Sequence, residues 1–91
     1  MKTKTKKSSD PEKISESHCI LVFNDDINPF SHVIECFVNI LKYDYSRAEQ
    51  CAIIIHNNGK YAVKLGDFEY LEPYCYRLVD KGLDAVITQR P

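Results

Sequence analysis

No stretch of this 91-residue sequence comes near the ~20 consecutive apolar residues that a membrane-spanning helix needs. The lysines near its start are followed by no apolar core segment, so they do not read as a secretory signal. A surplus of one charge is also lacking. Twelve basic residues stand against thirteen acidic ones, which removes any global attraction to nucleic acid or an anionic membrane. Cysteine is present four times, at Cys19, Cys36, Cys51 and Cys75, but never as a CxxC pair. The last three sit in apolar periodic contexts, where free cysteine behaves as a small buried hydrophobe. A disulfide framework or a zinc site is the less favoured reading, and a reducing, cytoplasmic setting follows. The glycines nearest a helix start make no phosphate loop, which needs a longer glycine-rich run and a lysine at fixed spacing. Nucleophile motifs and metal-ligand spacings are missing as well. The sequence therefore points to no catalytic residue, metal or cofactor, and an enzyme is the less favoured reading.

What is present is enough for one small domain with one modest core. Residues 1–16 carry five lysines and almost no apolar side chains, so they cannot offset their ordering entropy and are expected to be a flexible tail. Residues 17–91 form the domain. His18 to Asn24 reads as a strand apolar enough to lie centrally in a sheet. Asn28 and Pro29 then suit the cap and first position of a helix, with Phe30, Val33, Ile34, Phe37, Val38 and Leu41 as its apolar stripe. Ser46 and Glu49 make a capping-box pattern for a second helix. Its apolar face is Ala48, Cys51, Ala52 and Ile55, with Ile53 and Ile54 adding to it, and it ends near Gly59. Lys60 to Leu65 alternates as a half-exposed strand does. Asp67 caps a third helix whose core residues are Phe68, Leu71, Cys75, Leu78 and Val79, and Gly82 ends it. Pro73 predicts a kink in that helix or a separate first turn. Leu83 to Gln89 is a last strand. The fold class is α+β, in the order β-α-α-β-α-β, with a three-stranded antiparallel sheet and three helices on one face.

Two short segments carry the polar chemistry. In LVFNDDINPF, residues 21–30, an apolar strand runs directly into Asn24, Asp25 and Asp26. Two of these can be turn residues that bond nearby backbone. His56 follows the apolar run AIII on the last turn of the second helix, where the helix dipole alone would favour it. Taken together, LVFNDDINPF and the later IIIHNNGK, in this order and at this distance, resemble the ClpS family of protease adaptors from about His18 to Gln89. Ser46, Ala48 and Gln50 also fit the family's setting.

That resemblance implies a monomeric module, without nucleic acid or membrane as partner. It would recognise proteins whose free N-terminal residue is Leu, Phe, Tyr or Trp, and hand them to the N-domain of a ClpA- or ClpC-type AAA+ unfoldase working with the ClpP peptidase. Carried over by position, Asn24 and His56 are acceptors for the substrate's α-amino group, and Asp25 is the carboxylate that holds it through water; Asp26 matches the motif and is expected instead to have a structural role, bracing the loop before Asn28. The apolar pocket is Ile27, Asn28, Phe30 and Val33 on one side, Ala52 and Ile55 on the other, with a wall near Ala85. Phe30 is bulkier, and Ala52 and Ala85 smaller, than the family's usual residues, so the pocket is expected to be reshaped. Glu69 matches an acidic unfoldase-contact position, and Tyr74 stands where the family has a basic one. A competing reading is the related fold of the ribosomal L7/L12 C-terminal domain acting as an interaction module. It would not need Asn24, Asp25 and His56 together. A third reading, nucleic-acid binding through the lysine tail, predicts salt-sensitive binding to any duplex, and the ordered domain is expected to supply no matching aromatic-basic face.

Overall fold

The structure, a computed structural model, describes residues 16–90; the expected tail lies almost wholly outside them. Six elements follow in chain order: β1 (His18–Phe23), α1 (Phe30–Ile40), α2 (Tyr45–Asn58), β2 (Lys60–Gly66), α3 (Phe68–Asp80) and β3 (Asp84–Gln89). The sheet order is β2-β1-β3 and both pairings are antiparallel. The central place of β1 follows from its composition, since a strand paired on both edges and buried over most of its length must be apolar almost throughout. Its Ile20 and Val22 are buried beside Ile34 and Phe37 of α1, Ala48 and Cys51 of α2, and Leu71 and Leu78 of α3. Cys36, Cys51 and Cys75 belong to this core, and all four cysteines are buried free thiols. Burial pushes the Cys36, Cys51 and Cys75 thiols up, which keeps them protonated.

Two helix starts differ from expectation. Pro29, not Asn28, is the cap of α1, with extended backbone at φ −62° and ψ 150°, and the helix opens at Phe30. Asn28 is committed elsewhere, as described below. Helix α2 is capped by Asp44, whose carboxylate accepts the Arg47 N–H at 2.8 Å. Ser46 therefore falls inside the first turn, and the capping box is not used. The ends were better marked. Gly59 closes α2 at φ 92°, and Asp67 caps α3 by accepting the Tyr70 N–H at 3.0 Å. Past α3, Gly82 at φ 94° lets its own N–H reach the Val79 carbonyl and the Leu83 N–H reach that of Leu78, a Schellman ending sealed by the buried Leu78 and Leu83.

Helix α3 runs unbroken through Pro73. The bond that proline cannot make would have gone to the carbonyl of Glu69, an exposed residue whose carbonyl can turn to water instead. Phe68 and Val79 are also exposed rather than core. The buried stripe is Leu71, Cys75 and Leu78. Val79 is one step, about 100°, round the helix from Leu78, and Phe68 at the helix start stacks edge-on against His18. Ile53 is exposed and Ile54 half-buried. On β2 the register slips between Ile20 and Leu21 of its partner, which leaves Val63 as an extra residue. Its carbonyl, turned from the ladder, accepts the buried Tyr43 hydroxyl.

Candidate functional site

Where β1 ends, the chain must turn away from the sheet, and a cavity of about 400 Å³ opens there. Its floor is Val22 and Phe23. Phe30 and Val33 of α1 form one side, Ala52 and Ile55 of α2 the other, and Leu83 closes the end beyond α3. Asn24, Asp25, Asp26, Asn28 and His56 line it as well. This volume lies within the range of small-ligand sites, ~300–1,000 Å³. An apolar slot and a set of polar acceptors thus share one concavity.

The acceptors are held in place by the backbone. Asn24 donates its N–H to the Gly59 carbonyl at 2.8 Å, which fastens the end of β1 to the end of α2, one turn from His56. Asp25 turns back on its own loop. One oxygen accepts the N–H groups of Ile27 at 2.9 Å and Asn28 at 2.8 Å. The other accepts the Asn28 side-chain amide at 3.0 Å. Above all the Asn28 backbone N–H, then the Asn28 side chain, hold the Asp25 carboxyl below its usual 3.8, against a smaller opposing push from burial. Asp25 is therefore an anion at neutral pH, with lone pairs left over. Asn28 also donates to the Gly82 carbonyl at 2.9 Å, and His32 bonds the neighbouring Lys81 carbonyl at 2.9 Å. The polar loop is consequently anchored to the turn that carries Leu83.

Most sequence-marked residues converge here: Asn24, Asp25, Asn28, Phe30, Val33, Ala52, Ile55 and His56 all line the cavity. Three assignments change. Ile27 is 88% exposed and stands outside the lining, because the Asp25 turn directs it outward. The wall is Leu83, not Ala85. Ala85 is buried opposite Val22, farther back along the sheet, whereas Leu83 precedes the pairing of Asp84 with Phe23 and so reaches the open end. The bracing role expected of Asp26 belongs to Asp25, and Asp26 is an exposed cavity-lining carboxylate. Val22 and Phe23 were missed because they read simply as strand core. Glu69 and Tyr74 lie on α3 away from the cavity lining. Glu69 is an exposed acid in the first turn, favoured there by the helix dipole. Tyr74 is half-buried against the core.

Comparison with known proteins agrees over nearly the whole domain. The family model described as ATP-dependent Clp protease adaptor protein ClpS matches residues 13–86. The ATP-dependent Clp protease adapter protein ClpS of Corynebacterium aurimucosum is 33% identical over 69 residues, covering 76% of this chain and 62% of the relative. Its namesake from Mycolicibacterium paratuberculosis is 28% identical over 88 residues, covering 96% of this chain and 84% of the relative. The chain thus spans somewhat under two thirds of the first of these relatives. Among solved structures, Agrobacterium tumefaciens ClpS2 bound to L-phenylalaninamide superposes with a TM-score of 0.78 at 14% identity, covering 84% of this chain and all of that one. The shared order and sheet make the fold the same.

Proposed function

This chain belongs to the ClpS family of Clp protease adaptors, and from that premise we propose that its cavity receives the first residue of proteins bearing a bulky hydrophobic N-terminus. The observation that carries the reading is the joining, in one concavity, of the apolar walls Phe30, Val33, Ala52, Ile55 and Leu83 with Asn24, Asp25 and His56. A free α-amino group has a pKa near ~7.7–8.0 and is mostly cationic at neutral pH. Its three N–H donors must find acceptors when water is displaced, and its charge needs a nearby anion. Asn24 and His56 offer lone pairs, and the ionised Asp25 offers the charge, directly or through a bridging water. The side chain of the same residue then enters the apolar slot. L-phenylalaninamide, held by the solved relative, pairs a free amine with a benzyl group, the same two features.

In this reading the chain carries out no chemistry of its own. It holds substrates with N-terminal Leu, Phe, Tyr or Trp and presents them to the N-domain of a ClpA- or ClpC-type AAA+ unfoldase, with Glu69 and Tyr74 of α3 at that contact. The decisive test is a titration comparing a Phe-initiated peptide with its N-acetylated twin. Binding confined to the free amine is the expected result. Equal binding of both, or of neither, would show that the amine is not what the site reads.

A further inference from the structure

A second concavity, of about 560 Å³, lies on the other side of α2. It shares no lining residue with the first: Ala52, Ile55 and His56 face one, Arg47, Gln50, Cys51 and Ile54 the other. From β2 it takes Tyr61 through Leu65, and Tyr43 forms its base. Contrary to the sequence expectation, the fold assembles a small aromatic-basic face here, because its rings and cations come from separate elements. The Arg47 guanidinium stacks on the Tyr43 ring at 3.9 Å. The Lys64 ammonium lies 4.8 Å from the Tyr74 ring, 5.3 Å from Tyr70 and 6.0 Å from Tyr43. Sharing Tyr43, the two cations are within about 10 Å of each other.

Neither cation forms a salt bridge among the described residues. Glu16, at the edge of the same groove, is turned to Arg90 at 3.3 Å, and Asp44 spends an oxygen on the Arg47 backbone. Arg47 also stands in the first turn of α2, where a cation opposes the helix dipole and weakens the helix. The ring contacts support each cation modestly, but they leave two like charges near each other, one of them against the local dipole, with no salt-bridge partner among the described residues. Such a pair complements an anion from outside.

We propose that the Tyr43–Arg47–Tyr61–Lys64 groove is a docking site for an acidic peptide segment of a partner protein, separate from the N-terminus-binding cavity. Carboxylates would meet Arg47 and Lys64, while intervening apolar side chains would lie on Tyr61, Ile54 and Leu65. This chain's own residues 1–15, with five lysines and two acids, have the wrong sign to fill it. Nucleic acid fits poorly. Stable phosphate-backbone binding engages several cations, whereas this groove offers only Lys64 and Arg47. Docking as an added β2 strand is disfavoured because Tyr43 already occupies the Val63 carbonyl.

The test uses the full chain and a short, N-acetylated, fluorescent peptide alternating Glu with Leu, followed by anisotropy. Acetylation keeps the probe out of the first cavity, so the outcome is independent of how that cavity works. Saturable binding is expected, weakened about three- to tenfold by Arg47→Gln or Lys64→Gln and lost in the double charge reversal Arg47→Glu with Lys64→Glu. Arg47 is exposed and Lys64 half-buried, and circular dichroism with a thermal melt confirms that each variant is folded. Absence of binding, indifference to both Gln variants, or equal binding of a single-stranded RNA of matched charge would each overturn the proposal.

Discussion

Phe30 should decide which first residues the cavity admits. It stands at the first position of α1, lines the slot beside Val33 and is 44% exposed. A β-branched residue such as Ile or Val carries bulk on the carbon next to the backbone, where this ring stands over the entrance. Leu, Phe and Tyr carry theirs one bond farther in, towards Ala52, whose small side chain leaves the room. Burying such a side chain is worth ~1.5–3 kcal/mol, and forcing bulk against a packed ring costs ~1–3 kcal/mol. A net difference of ~1.4 kcal/mol is tenfold in affinity. Peptides differing only in their first residue, titrated by calorimetry, should therefore bind at least about tenfold tighter with Leu than with Ile. Phe30→Ala should narrow that gap by admitting Ile while loosening Leu. Full removal of a core Phe costs ~3–5 kcal/mol; for a ring this exposed, roughly half, ~2 kcal/mol, is expected. That leaves a typical domain folded. Equal binding of Leu and Ile by the wild type would refute the gate, and an unfolded Phe30→Ala would mean that the ring is core.

Other consequences are as direct. Asn24→Ala and His56→Ala should each cost ~1–3 kcal/mol in peptide affinity with unchanged circular dichroism, and wild-type affinity in His56→Ala would remove that residue from the site. The Asp25 carboxyl is held below 3.8 in the folded chain, so its contribution to stability is complete above that pH and fades as pH falls through the lower folded value. The melting-temperature gap between wild type and Asp25→Asn should accordingly be open at neutral pH and close under strong acid; a gap independent of pH would contradict the bracing role. Lys42 is held in the left-handed region at φ 64°, so Lys42→Gly should stabilise by ~0.5–1 kcal/mol in urea. Gly82→Ala, at φ 94°, should destabilise by ~1–2 kcal/mol, since an alanine there is strained.

Much of the architecture is legible because each signal is local. A central strand announces itself by continuous apolarity, and Gly59, Asp67 and Gly82 act on the residues beside them. The misread points are those where two local options compete and a distant group chooses. Asn28 would serve as a helix cap in isolation, but the Gly82 carbonyl and the Asp25 carboxylate together claim its amide. Asp44 outbids Ser46 because its position lets the helix begin at once after the turn at Lys42. Leu83 as pocket wall could not be placed from spacing, since it depends on where β3 begins to pair with β1. The second groove is invisible in sequence for the same reason. Its rings and cations come from four elements or loops, and only the bulged edge of β2 brings Lys64 over Tyr70 and Tyr74.

One chain of bonds gives the first cavity its working character. Gly82 holds Asn28, Asn28 holds Asp25, and Asp25 in turn holds the backbone of residues 27 and 28. Gly59 independently fixes Asn24. The acceptor loop is thus ordered before any ligand arrives, and a bound amine need not fund the immobilisation of its own partners. Because Leu83 follows Gly82 directly, the same bonds set the distance between the charged mouth and the apolar end wall. Phe30, half-exposed, takes no part in this network. Discrimination between an amine and its acetylated form should therefore rest on the hydrogen-bonded loop, and discrimination among side chains on Phe30 and the apolar walls.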